Sequence, residues 1–421
     1  MPRVVIVGAG FGGLQCARRL AGKPVDVLLV DRHNYHLFTP LLYQVASSLL
    51  NPSEIAYPVR TVFRGSRNVT IRLAEVTGVD LADGVIYVEE GPPEPFDYLV
   101  LATGARVNFF GQDAIASRAF TLGSLSAAFD LRNHVLSRFE AATTADLPTR
   151  QRLLTFVVVG AGPTGVEYAG ALSELVRLMA GRDYPGIGRA DVRILLLEGT
   201  DRVLPAFPPT LGEHARRRLQ RLGVTIRTGV MMRAADDASV TLSTGETIPC
   251  GTLVWTAGVR PNGLEPGLDV ARTKAGRVEV DQCLRIPGHE RVFAIGDVAA
   301  FVQDGQPLPM LAQPAMQAGR AVAANILRDL AGKPLAPFRY QDPGIMATVG
   351  RNAGVALIKG VSLRGWLGWI TWLAVHLFFI IGFRNRVAVM ARWAWNYFFY
   401  DRPIRFITDV QRARSSVQRG R

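Results

Sequence analysis

The sequence predicts an α/β chain built from two copies of one strand–turn–helix–strand unit, followed by a basic, aromatic C-terminal appendage. Three observations carry this. Near the start, Val4-Val5-Ile6-Val7 runs into Gly8-Ala9-Gly10-Phe11-Gly12-Gly13, then a helical pattern, then a second apolar run that ends in Asp31. Later, Phe156-Val157-Val158-Val159 runs into Gly160-Ala161-Gly162-Pro163-Thr164-Gly165, and an apolar run further on ends in Glu198. Each turn is answered downstream by a strand with a similar ending, Ala102-Thr103-Gly104 and Thr256-Ala257-Gly258. The distance from first glycine to threonine is 95 residues in one case and 96 in the other. Two such pairs at matching spacing read as an internal duplication.

Each part of the unit has a physical task if a dinucleotide sits there. Gly8 permits the tight turn out of the strand, Gly10 lets backbone N–H groups approach a pyrophosphate, and Gly13 lets the helix pack closely on the sheet. The helix N-terminus turns its positive end to the phosphates. Asp31 follows Gly8 by 23 residues, near the roughly 20 expected of an acid that accepts a ribose 2′-hydroxyl. The units are therefore expected to be Rossmann-like dinucleotide-binding domains. In the second, Glu198 follows Gly160 by 38 residues, the surplus being a Gly/Pro-containing loop over 181–191. An acid there favours NADH over NADPH, because it repels a 2′-phosphate, although Arg202 stands nearby.

Between these landmarks, residues 34–43 form an aromatic, proline-broken loop leading to a helix, and residues 66–88 alternate as short strands. Arg291-Val292-Phe293-Ala294-Ile295-Gly296-Asp297 reads as a strand ending in Gly-Asp, an acid suited to a ribityl or phosphate group. Leu311 to Gly319 opens a helix to Leu330 whose positive end can stabilise negative charge on a reduced ring. Gln313 and Gln317 stand four apart on it.

At 421 residues two or three domains are expected. The net charge of +13 is concentrated late: residues 359–421 hold eleven Lys or Arg against two Asp, with six Phe and all but one of the six Trp. Basic charge in aromatic company favours an anionic membrane over nucleic acid. Residues 366–383 form an 18-residue apolar run interrupted by Thr371 and His376, at the short limit for a span; residues 387–400 are too few. Helices lying in the headgroup region are the expectation. The three cysteines, Cys16, Cys250 and Cys283, have neither disulfide nor zinc spacing and are expected to be reduced thiols. His33 and His36 lie in a loop, and no metal is expected. Nor is a cleavable leader, since the apolar start runs straight into the glycine turn.

Together these residues resemble the type II NADH:quinone oxidoreductases, over nearly the whole chain. The glycine turns, Ala102-Thr103-Gly104 and Phe293 to Asp297 belong to the wider superfamily of FAD and NAD(P) reductases. Phe38-Thr39-Pro40-Leu41-Leu42, Gly165-Val166-Glu167, Ala312 to Gln317 and the Gly382-Phe383-Arg384-Asn385-Arg386 C-terminus are narrower signals. The resemblance implies FAD held by Gly8, Gly10, Gly13, Asp31, Thr103, Gly104 and Asp297, with Gly12 and Arg32 beside them. It implies NADH held by Gly160, Gly162, Gly165, Glu198 and Gly258. Glu167 matches the acid near nicotinamide and flavin, and Gln313 and Gln317 match the pair where quinone arrives. His376 is a candidate proton source for reduced quinone. The implied enzyme passes two electrons from NADH through FAD to a membrane quinone without pumping. It is peripheral to the cytoplasmic face of the cell membrane, held to the anionic surface by its C-terminal helices, and homodimeric. The expected domains are an FAD domain in two parts (1–112 and 286–340), an inserted NADH domain (113–285) and a membrane-anchoring, quinone-access module (341–421).

Two alternatives differ in chemistry. A sulfide:quinone oxidoreductase needs paired reactive cysteines, which this chain lacks the context for. An NADH-binding flavoprotein sensor with a basic partner-binding tail has no use for the apolar run at 366–383.

Overall fold

The computed structural model describes residues 1–263, 268–402 and 404–408. The basic tail beyond, which carries part of the expected membrane-surface charge, lies outside the described residues. The described residues form two compact units, one within residues 1–37, 56–106 and 259–343, the other within residues 38–55, 107–258 and 344–408.

The first unit is built on a five-stranded parallel sheet. Its order is Val292–Ala294, Tyr98–Leu101, Arg3–Val7, Asp26–Asp31, Val69–Leu73. Its inner strands are apolar on both faces because both faces are covered: Val4, Val5, Ile6, Leu29, Leu99 and Val100 are all buried. On one face, the helices Phe11–Leu20 and Ala312–Leu330 cross where a side chain on Gly319 would meet Gly12 O at 2.2 Å. A three-stranded antiparallel meander, Val76–Asp80, Val85–Val88 and Glu94–Pro95, packs on the other side.

The second unit repeats the plan. Its parallel sheet runs Phe120–Thr121, Thr252–Trp255, Thr155–Val159, Arg193–Leu197, Val224–Arg227. Its own antiparallel meander, Met232–Ala235, Ser239–Leu242 and Thr247–Pro249, precedes the Thr252–Trp255 strand just as the first meander precedes Tyr98–Leu101. The helix Pro163–Met179 follows the glycine turn and is buried over most of its length.

The boundaries differ from those expected at three places. The first unit resumes at Val259, not near 286, because Thr103 Oγ1 donates to Asn262 O (2.7 Å) and Leu268, Val278 and Ile286 join the core of Val5, Leu28 and Leu99. Residues 38–55 leave the first unit for the second, where Tyr43, Gln44 and Ser47 are bonded. The stretch from 341 on does not stand as a separate module: its described residues from Gly344 to 408 build into the second unit. They contribute an antiparallel sheet, Ile345–Thr348, Gly354–Ile358 and Val361–Arg364, then the helices Gly365–Phe379 and Phe383–Phe399. Among the described residues no helix is long and apolar enough to cross a membrane.

Candidate functional site

The two glycine turns are latched alike. Gly8 (φ +105°) and Gly160 (φ +99°) take the left-handed backbone that side chains rarely adopt. A Cβ on Gly13 would lie 1.8 Å from Gly8 O, and one on Gly165 1.9 Å from Gly160 O, so each helix sits directly on its own turn. The acid at the end of the second strand then reaches back. Asp31 Oδ2 accepts the Ala9 N–H at 2.6 Å, and Glu198 Oε2 accepts the Ala161 N–H at 2.6 Å. Their other oxygens accept the N–H groups of His33 and Thr200. At Gly10 and Gly162 an added Cβ meets nothing within 4 Å, which leaves open space at each turn. A phosphate-bearing dinucleotide fits both cradles.

The rest of the first site follows. The Ala312–Leu330 helix begins without a side-chain cap, and Gly12 lies against Ala315 O, so its open end stands beside the first glycine turn. Asp297 is half-buried and accepts no hydrogen bond to its carboxyl among the described residues. Desolvation raises it to about 6 and Arg277 opposes the shift, leaving an acceptor suited to hydroxyl donors. Thr103 and Gly104 are tied to Asn262. Arg32 points away, exposed, 4.0 Å from Glu75. Gln317 is engaged at both ends, donating to Gln341 O (2.8 Å) and accepting the Gln341 N–H (3.0 Å); Gln313, one turn earlier, is half-exposed. Sequence reasoning missed His36, which it weighed only as a metal ligand. It is buried, its Nδ1 lies 2.9 Å from Ala9 O and its ring stands edge-on to Phe11, bracing the turn that Asp31 latches.

In the second unit, Gly258 closes the strand end under the Phe110 ring. Glu167, on the buried face of the Pro163–Met179 helix, is the centre of a polar network. Its Oε1 accepts the Thr348 N–H (3.2 Å) and the Trp372 indole N–H (3.0 Å). Thr348 Oγ1 meets Tyr43 Oη at 2.9 Å, Gln44 donates to Tyr43 Oη at 2.9 Å, and Trp393 donates to Gln44 Oε1 at 2.8 Å. Burial pushes the Glu167 carboxyl up to about 8 against the pull of the two N–H donors, so it holds a proton at neutral pH. His376 stacks on Trp372 with centroids 3.8 Å apart and donates Nδ1–H to Trp372 O. Desolvation drops it to about 4. It is therefore neutral at pH 7 with Nε2 as an acceptor, which disagrees with the expected role as proton source. A buried arginine, Arg402, forms a separate polar cluster with Glu174 (2.8 Å), Ser47 O and Ala171 O.

The cysteines offer no thiolate. All three are free; burial raises Cys16 to about 12 and Cys250 to about 11, and Cys283 is also raised.

Two parallel sheets, each with an acid-latched glycine turn, define a reductase of the two-dinucleotide class, and the profile of the pyridine nucleotide-disulphide oxidoreductase family matches residues 2–319. The chain is 40% identical to the type II NADH:quinone oxidoreductase Ndh of Mycobacterium tuberculosis, over 97% of this chain and 91% of that protein. It is 31% identical to the type II NADH:quinone oxidoreductase of Staphylococcus aureus, over 86% and 91%. The chain belongs to the type II NADH:quinone oxidoreductases. Its fold is that of NDH2 from Plasmodium falciparum, solved in complex with NADH (TM-score 0.88, 19% identity, 96% and 99% of the chains). The sulfide:quinone oxidoreductase of Aquifex aeolicus is similar at a TM-score of 0.74 with 16% identity, over 95% of this chain and 96% of that one.

Proposed function

We propose that this chain is an NADH:quinone oxidoreductase that takes two electrons from NADH to a membrane quinone, with FAD held in the first unit and NADH in the second. The observation that carries the reading is the duplicated latch, Asp31 on Ala9 and Glu198 on Ala161, each beside an open glycine cradle. FAD, when bound, supplies the hydride acceptor and the store of two electrons.

The chain's own residues bind, orient and handle protons. The first turn and Asp297 hold the flavin nucleotide. The second turn holds NADH, and the Glu198 carboxylate accepts from a free ribose hydroxyl while repelling a 2′-phosphate. Glu167, protonated and pinned at Oε1, presents Oε2 as a proton donor in a water-poor setting. Gln317 steadies the segment around Gln341, and Gln313 is the freer amide for a quinone oxygen. His376 accepts at Nε2.

The C-terminal helices support attachment to the membrane surface. Trp366, Phe378, Phe383 and Phe398 are exposed, Phe383 by 82%, next to exposed Arg384 and Arg386. Such a face enters the headgroup region in plane rather than crossing it. We read the protein as peripheral on the cytoplasmic face, homodimeric, and free of ion pumping.

Proteoliposomes carrying quinone and an entrapped pH dye test this. Quinone-dependent oxidation of external NADH without a change in the internal pH is expected. NADH left unoxidised, or oxidation coupled to a pH change, contradicts the reading.

A further inference from the structure

Glu167 is gripped by a side chain from the segment that the sequence assigns to the membrane. Trp372 lies on the Gly365–Phe379 helix, which exposes Trp366, Leu367, Ile370 and Phe378. It is 1% exposed, stacks on His376, and sits against Tyr43 and Trp393. Adhesion to lipid needs nothing from this inward side chain, and a phenylalanine or leucine would fill a core position there. The indole differs from those in its N–H, which is aimed at Glu167 Oε1, the oxygen that the Thr348 N–H also holds.

We propose that Trp372 is a positioning residue for Glu167: its indole N–H fixes the carboxyl from the C-terminal helix, so that the seating of that helix sets how firmly Glu167 keeps its proton. The proposal rests on the reading of Glu167 as the proton-holding group of the reacting centre. Membrane attachment and the proton chemistry of the site then share one side chain.

The direction follows from the surroundings. A donor to the carboxylate stabilises the charged form, so removing it moves the carboxyl further up. No neighbour compensates. Tyr43, on the short helix beside it, is itself raised and stays neutral. Glu174, on Glu167's own helix, is committed to Arg402. His376, behind the Trp372 ring, is neutral. The Ile345–Thr348 strand faces Glu167 with a backbone N–H.

The test uses the full-length, FAD-loaded protein in detergent. Trp372 is replaced by benzothienylalanine, which keeps the shape and stacking and puts sulfur in place of N–H; Trp372→Phe is the second variant. The readout is the infrared C=O band of the protonated carboxyl, identified by its loss in Glu167→Gln and titrated without NADH. With flavin content unchanged, the midpoint is expected to rise by about one to two pH units, the worth of a hydrogen bond to a charged group. An unchanged midpoint in the isosteric protein overturns the proposal. A raised midpoint that the pH profile of NADH-driven flavin reduction does not follow leaves Trp372 positioning Glu167 and removes Glu167 from the reacting centre.

Discussion

Glu167→Gln makes the proton held by Glu167 visible as a pH-dependent stability. The buried carboxyl titrates near 8 in the folded chain against an ordinary value of 4.5. Between those values the folded chain keeps a proton that the unfolded chain has released. The contribution is fully present below 4.5 and is lost as pH rises through 8, at about 1.4 kcal/mol for each pH unit. Glutamine keeps the shape and an acceptor for the Trp372 and Thr348 donors and does not titrate. The difference between the two proteins therefore isolates this one group from every other pH effect. From pH 5.5 to 7.5 the wild type should lose about 2.5 kcal/mol relative to Glu167→Gln. For a unit of this size, that shifts the wild-type melting temperature down relative to the variant by about 5–10 °C. The assay is thermal unfolding of both FAD-loaded proteins in detergent at several pH values. A gap that stays constant across the window would mean that Glu167 is already ionised in the folded protein, and the reasoning from its burial would fail.

Other outcomes follow from the same geometry. Glu198→Gln keeps an acceptor for the Ala161 N–H and removes the charge, so the NADH-over-NADPH preference in kcat/KM should narrow by about tenfold or more, as expected for one lost charged contact; an unchanged ratio would mean that Glu198 does not meet the ribose. Gly165→Ala places a methyl group 1.9 Å from Gly160 O and should abolish NADH-driven flavin reduction while FAD stays bound; normal NADH kinetics would show that the turn is not at the nucleotide. Arg402→Met leaves Glu174 and two carbonyls without their buried donor and should cost about 3–5 kcal/mol in urea unfolding. Replacing Trp366, Phe378, Phe383 and Phe398 together by Ser should release the protein from anionic vesicles in flotation with FAD retained. This tests the anchor more cleanly than deleting residues 366–421, because the deletion would also remove buried Trp372 and Arg402.

Much of the fold was legible because its determinants are local. A glycine turn after an apolar strand, and an acid some way downstream, report on backbone conformation and spacing, and both copies folded as their patterns imply. The spacing of the two acids suggests ribose ligands. That they hold the Ala9 and Ala161 N–H groups was not legible, since a backbone contact leaves no trace in residue type. The C-terminal segment was harder. Residues 345–364, which form strands, show no clean apolar/polar alternation, and the aromatic run after them dominates the pattern and reads as a detached module. What joins it to the second unit is a set of single long-range contacts, from Trp372 to Glu167, Trp393 to Gln44 and Arg402 to Glu174. No periodicity encodes such partners. The setting of His376 was hidden for the same reason: burial against the Trp372 ring lowers it, against the pull of the carbonyl it bonds, and the spacing reveals neither neighbour.

The most direct test of the account is anaerobic, on purified protein in detergent, following the flavin absorbance near 450 nm (about where oxidised flavin absorbs). Addition of NADH should bleach the band, and addition of a short-chain quinone should restore it with one quinone reduced per flavin. A band that NADH leaves intact, or that sulfide bleaches in its place, would contradict the assignment of the second unit to NADH and with it the central claim.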